Sequence, residues 1–287
     1  MHWTIPVLIL FFSSIISYLF IRKSSLLHTP TQINNLAMFG IPVFLYAIAT
    51  LLTKTEIHVS IPHLAIIVFS AVVFSYLGNV FSLKSLEHAP NPGYSLMISK
   101  SYVVFTTLVS IFLFNAELTL RKAIAIICIV AFSALVVISK SMNKNEKEHR
   151  VWLPLSLGSF FCWGFLALSS KYLLDQGVGI LERLVISLSI VSAIILGEIV
   201  MKKVQWQNLS KHQLGLLMVI GITQASSNFG MMWGYQIAPN VGYVNAVNAA
   251  SIAGVAVLAS IFFKDELTRR KLLGILGVTV GLLLLLI

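Results

Sequence analysis

Apolar residues along this chain run in long unbroken stretches, and the polar residues gather in short gaps between them. A helix rises about 1.5 Å per residue, so crossing roughly 30 Å of hydrocarbon takes about 20 apolar residues. Ten stretches have that character: 4–21, 33–52, 61–83, 92–114, 121–139, 152–174, 181–201, 214–236, 240–263 and 270–287. None shows the alternation of apolar and polar positions that marks the strands of a membrane barrel. The pattern predicts an all-α membrane protein of ten transmembrane helices. Composition closes off a water-soluble alternative, because 57% of the residues are hydrophobic and only 10% are charged, at a mean hydropathy of +0.91. No basic residue precedes the first stretch, and Arg22 and Lys23 follow it, so it reads as a retained anchor and not as a cleaved signal. Cys128 and Cys162 fall inside spans without CxxC spacing and read as structurally inert thiols.

The chain repeats itself at an offset of 149 residues. Trp3 meets Trp152, Phe11 and Phe12 meet Phe160 and Phe161, and Asn79 meets Asn228. HAPNPGY at 88–94 lies over IAPNVGY at 237–243, and FNAELTLRK at 114–122 lies over FKDELTRRK at 263–271. A duplication accounts for this. It divides the chain into a first repeat at 1–143, a polar linker at 144–151 and a second repeat at 152–287. Five spans per copy is an odd number, so the second copy enters the bilayer from the opposite face. The prediction is two inverted five-helix repeats, related by a pseudo-two-fold axis in the membrane plane, with a site between them that rocking offers to either side.

The repeated turn places Pro90 or Pro92, and Pro239, where a helix can begin without needing their missing N–H, with Gly93 and Gly242 beside them permitting close backbone approach. Two readings stand: a tight helical hairpin, or a hinge at a cavity rim. At the far ends of the same spans, Glu117 and Glu266 precede Arg121 and Arg270 by four residues, and Thr119 and Thr268 are placed as N-caps of the fifth and tenth spans.

These features resemble an EamA-type member of the drug/metabolite transporter superfamily. The resemblance rests on ten spans in two five-helix repeats, a proline after a small residue before the fourth helix of each half, and a Glu-Leu-Thr turn before the fifth; it covers essentially the whole chain. It implies a monomeric or loosely dimeric secondary carrier of small metabolites, such as amino acids or their relatives, working by alternating access in the cell (inner) membrane.

Within the spans, the informative residues are those that are costly to place in hydrocarbon. Lys100 lies eight residues into the fourth span, where insertion scales penalise a lysine by roughly 2.5–3.5 kcal/mol. It is expected to face a watery cavity or a partner in the bundle, either pairing with a substrate carboxylate or phosphate or holding helices together. Its repeat mate is Ala249, so the site is asymmetric. Some EamA-type proteins similarly carry lysine in this span. Asn79, Asn228, Asn245, Asn248 and Gln224 complete the candidate substrate-binding set. Carboxamides donate and accept, which suits a zwitterionic or neutral polar ligand, and equally suits helix-to-helix hydrogen bonding. Gly242, Ala246, Ala250 and Gly254 form a small-residue ladder in the ninth span, and Gly277 and Gly281 a GxxxG in the tenth that reads as packing or as a dimer face.

The chemistry that is missing narrows the function. The acidic residues lie in loops or towards span ends, and span 1 lacks the glutamate with which the superfamily's small multidrug exporters exchange cations and protons. The histidines are peripheral, no HExxH or nucleophile triad occurs, and no metal or cofactor is called for beyond an undetermined coupling ion. No GxxxxGK[ST] occurs, so pumping must draw on ion or substrate gradients. The net charge of +10 resolves by loop: fourteen basic residues follow odd-numbered spans, while five (Lys54, Arg121, Lys122, Lys171 and Arg183) lie on the other side. That count puts both termini outside, whereas the resemblance implies cytoplasmic termini. Topology and anionic lipid headgroups account for the excess, so nucleic acid is not a partner; substrate and membrane lipid are. The leading function is a carrier for a small anionic or zwitterionic metabolite. The alternatives are a lipid-carrier flippase or its accessory subunit, and a non-transporting scaffold.

Overall fold

A computed structural model describes residues 2–89, 92–137, 151–205, 209–264 and 267–287, and among these it is helical throughout, with no strand. The helices are α1 (Thr4–Leu26), α2 (Thr31–Leu52), α3 (Ile61–Phe69), α4 (Gly78–His88), α5 (Pro92–Lys100), α6 (Tyr102–Phe114), α7 (Leu120–Val137), α8 (Trp152–Asp175), α9 (Ile180–Met201), α10 (Lys211–Ile237), α11 (Val241–Phe262) and α12 (Arg269–Leu286). A π-helical segment, Ser70–Leu77, joins α3 to α4 as one span, and α5 and α6 together make another. Predicted starts fall within three residues of these, and ends within five. Nine of the described spans are long and apolar enough to cross a membrane. The tenth, α12, opens on Arg269, Arg270 and Lys271 and is otherwise mostly apolar. Residues 144–150 of the expected linker, with Pro90 and Glu266, lie outside the described residues.

Local chemistry fixes the helix starts. Thr119 and Thr268 accept the backbone N–H of Lys122 and Lys271, each at 3.3 Å, and so cap α7 and α12 as their spacing predicts. Ser210 and Gln213 form a reciprocal capping box on α10, at 3.2 and 2.9 Å. Pro239 stands outside its helix: the cap of α11 is Asn240, whose Oδ1 accepts the Gly242 N–H at 2.8 Å.

The surface is apolar and much of the interior polar. Ile61, Phe112 and Met201 are 83%, 83% and 84% exposed, while Ser24, Thr106, Ser110, Ser156, Ser170 and Ser251 are fully enclosed. Lipid is the solvent in which that distribution is stable.

Packing follows the 149-residue offset. α1 lies against α10 and α11; its mate α8 lies against the π-segment, α4, α5 and α6, which are the mates of those partners. α2 with α9, α6 with α11, and α7 with α12 are mates that pack on each other, as elements beside a two-fold axis must. The GxxxG face is covered within the chain, since Gly277 packs on Phe132 and Gly281 on Ile129, both in α7. Gly242 likewise seats against Thr107 of α6, and Gly254 against Ile15 of α1.

Candidate functional site

Helical spacing brings polar residues of four helices onto facing sides. α1 supplies Ser14, Ser17 and Tyr18; α6 supplies Tyr102 and Thr106; α10 supplies Gln224, Ser227, Asn228 and Tyr235; α11 supplies Asn245 and Asn248. Asn245 is the centre of one cluster. Its Oδ1 accepts the hydroxyls of Tyr235 at 2.5 Å and Tyr102 at 3.5 Å, and its Nδ2 donates to Thr106 Oγ1 at 3.0 Å. Tyr102 also lies close to Asn248, whose Oδ1 accepts from Ser14 at 3.4 Å, and Ser14 in turn meets Ser227 at 2.8 Å. Ser17 donates to Gln224 Oε1 at 3.2 Å, and Gln224 donates to Asn228 Oδ1 at 3.4 Å. The Asn228 Nδ2 is enclosed without a partner.

Lys100 joins this core from the break between α5 and α6. It is the last residue of α5, one residue before α6 begins, and it lies near the hydroxyls of Tyr18 and Tyr102. It also borders a narrow crevice lined mainly by apolar residues, among them Leu96, Met97, Val130 and Ile252. A wider cavity of about 240 Å³ lies elsewhere, at the end of the bundle where α6 finishes and α11 begins. Ser110, Asn115, Glu117, Lys171, Asp175 and Asn240 line it, and Lys171 pairs with Asp175 at 2.6 Å.

Of the residues singled out in the sequence, Lys100, Asn245, Asn248, Gln224 and Asn228 therefore meet in one polar core, bridged by hydroxyls of α1 and α6. Asn79 does not join it. The interface between α4 and α8 is the mate of that between α10 and α1, but where α1 carries Ser14 and Ser17, α8 carries Trp163 and Leu166 in register. Pro239 borders the wider cavity, Gly93 lies in the first turn of α5, and Gly242 is held against Thr107.

Arg183 requires a correction. The charge count takes it, at the start of the span 181–201, as a topology signal on the less basic side, yet it lies in the first turn of α9, 3% exposed, with Nη2 donating to Ser170 Oγ at 2.5 Å. The Glu182 carboxylate folds back to accept the Gly179 N–H at 2.7 Å and the His58 N–H at 3.0 Å, which tightens the turn and directs the next residue into the bundle. Tyr18, Tyr102, Tyr235 and Asn240 were also not foreseen. The available signal was a phenol or carboxamide within an apolar run, which packing explains equally well. Among the described residues, no cluster of three or more His, Cys, Asp or Glu side chains forms.

Residues 150–287 match the model of the EamA-like transporter family. An uncharacterized transporter of Archaeoglobus fulgidus is 25% identical over 227 residues, spanning 77% of this chain and 76% of that protein. A protein of known crystal structure is 14% identical, with a TM-score of 0.76 over 97% of this chain and 96% of its own, a likeness of fold alone. The second half of this all-helical membrane protein, α8 to α12, is thus similar to the EamA-like transporter family, the family that the repeated turns resemble.

Proposed function

We propose that the chain is a secondary transporter that moves a small organic metabolite, an amino acid or related anionic or zwitterionic compound, across the cell membrane by alternating access between two inverted repeats. The observation that carries this is the polar core shared by α1, α5, α6, α10 and α11, in which Lys100 lies beside the phenols of Tyr18 and Tyr102. A lysine neutralised by a protein carboxylate would be scaffolding; one held by neutral groups retains a charge for a ligand. Helices of both repeats contribute, so motion of one repeat against the other would open the core to either side. The test is uptake of labelled amino acids and organic acids into proteoliposomes driven by proton or sodium gradients. Lys100→Ala abolishes uptake while expression and folding persist; unchanged transport by the purified variant refutes the role of Lys100.

One observation favours a second reading. The crevice beside Lys100 is lined by Leu96, Met97, Val130 and Ile252, and Met97 is 43% exposed on the apolar surface. A cation at the end of an apolar slot suits the phosphate headgroup of a lipid carrier. Movement of a labelled polyprenyl phosphate between leaflets, with no uptake of water-soluble metabolites, would select that function.

A further inference from the structure

Among the described residues, Arg183 is a buried cation without a counter-charge. Five guanidinium N–H groups must be satisfied, and the one side-chain partner described is the Ser170 hydroxyl; Nε has none. The two carboxylates nearest in sequence are committed elsewhere, Asp175 to Lys171 and Glu182 to two backbone N–H groups. A buried charge left in this state is strongly destabilising, which a purely structural residue would not be expected to retain.

The cavity beside α6 and α11 lies at the same end of α8 as Ser170, the partner of Arg183. Four of its lining residues stand at or within about one helical turn of Ser170 or of the hydrogen-bonded group Tyr235–Asn245–Thr106. Ser110 stands a turn from Thr106, Val241 a turn from Asn245, Ala238 a turn from Tyr235, and Lys171 next to Ser170. Thr106 and Tyr235 both bond Asn245, Tyr235 lies within electrostatic range of Arg183, and Ser170 bonds it directly. Ser110 itself has an enclosed hydroxyl without a partner. A ligand entering the cavity would thus meet Ser110, then the Arg183–Tyr235–Asn245 level, and only afterwards Tyr102 and Lys100.

We propose that Arg183, with Ser170 bonded to it and Tyr235, the partner of Asn245, near it, is a second ligand-binding position that takes the carboxylate of a small organic acid entering from the cavity at the α6–α11 end. This rests on the transporter reading above and deepens it, by making the substrate an organic anion that is handed between two cations. Guanidinium suits the task because it can hold both carboxylate oxygens at once.

The test uses purified full-length protein in lipid nanodiscs, with succinate and glutamate as probes, succinamide as the neutral control and chloride at matched ionic strength. The wild type gains thermal stability with the carboxylates and not with succinamide. Arg183→Met loses that gain, and its affinity by titration falls about tenfold or more, as expected for a charge-assisted hydrogen bond. Without ligand its Tm is equal to or above that of the wild type, because an uncompensated charge has been removed; Arg183→Lys retains part of the response. A carboxylate response in Arg183→Met equal to that of the wild type overturns the proposal, as does an absence of any carboxylate response in the wild type. So does an Arg183→Met protein that melts well below the wild type while binding carboxylates normally, which would make the residue structural. Proteoliposome flux separates the two proposals: transport unaffected by Arg183→Met sinks this one alone, whereas carboxylate binding without any transport sinks the transporter reading alone.

Discussion

Gly242→Ala tests the crossing of α6 and α11 at the point where the fourth spans of the two repeats meet. A methyl at 242 would overlap Thr107 Oγ1 and stand 2.7 Å from Thr107 Cβ and 2.8 Å from its Cα. Carbon atoms prefer a separation of about 3.5–4.0 Å, so the two helices must part by roughly 1 Å. Rotating a side chain cannot relieve this, because Cα is backbone and Cβ is fixed to it. Overpacking of that kind typically costs about 1–3 kcal/mol, and here the upper end applies. Parting the helices also stretches the bond from Asn240 Nδ2 to the Thr107 carbonyl, 3.2 Å long, for about 1 kcal/mol more. The sum, about 3–4 kcal/mol, lowers Tm by on the order of 10 °C for a chain of this size. The assay is thermal unfolding of the purified variant, followed by fluorescence-detected size exclusion. Thr107→Gly in the same chain removes Oγ1 and Cβ, so that only the backbone carbon still crowds the new methyl, and is expected to restore more than half of the loss. A Gly242→Ala protein that melts with the wild type, or a double variant no better than the single one, would refute the close crossing.

Two further substitutions probe the same region. Asn240→Asp keeps the acceptor that caps α11 but loses the donor to the Thr107 and Glu117 carbonyls, so it should destabilise by about 2 kcal/mol, as Asn240→Ala does; if capping alone matters, the Asp variant melts like the wild type. Asn245→Leu leaves Thr106, Tyr235 and Tyr102 without their shared partner, for a loss of about 2 kcal/mol at the ~0.6 kcal/mol typical of such bonds in bilayers, and it should weaken carboxylate binding measured by titration; unchanged affinity would remove Asn245 from the site.

Run length made the spans legible, because hydrocarbon thickness sets helix length directly. What the sequence did not show is where those spans become irregular. The π-segment Ser70–Leu77 contains neither proline nor glycine, and the break after Lys100 has neither beside it. At the π-segment, a tertiary contact accompanies the distortion: the Cys162 thiol reaches the Val73 carbonyl at 3.6 Å, and Gly78 packs against Cys162. Lys100 stood out because a charge eight residues into a span has no inexpensive explanation. Arg183 did not, since a basic residue near a span end reads first as a topology signal, and its inward turn depends on the carboxylate of Glu182 capping backbone from a loop and from the chain before it. Asn79 and Asn228 were indistinguishable by register. The residues that separate them, Ser14 and Ser17 against Trp163 and Leu166, lie on other helices.

The scaffold and the chemistry obey different symmetries. Helix packing repeats at the 149-residue offset almost pair by pair, but the polar groups do not: Lys100 is matched by Ala249, Tyr18 by Ala167, and Arg183 by Asn34. Each half thus contributes one cation at a position where the other half has a neutral residue. If a two-fold axis related these groups as it relates the helices, a ligand would meet the same surroundings from either face, and the two half-cycles would be interchangeable. Here Arg183 lies one turn into α9, near the cavity at the α6–α11 end, while Lys100 lies at the break within the fourth span. On the function proposed above, a substrate crossing the core would exchange a guanidinium for an ammonium, two cations that bind carboxylates with different geometry. On that proposal, duplication would supply two conformations of similar energy, and divergence of these few side chains would make the two states bind the same anion differently, which is the condition a ligand must meet to bias a conformational equilibrium.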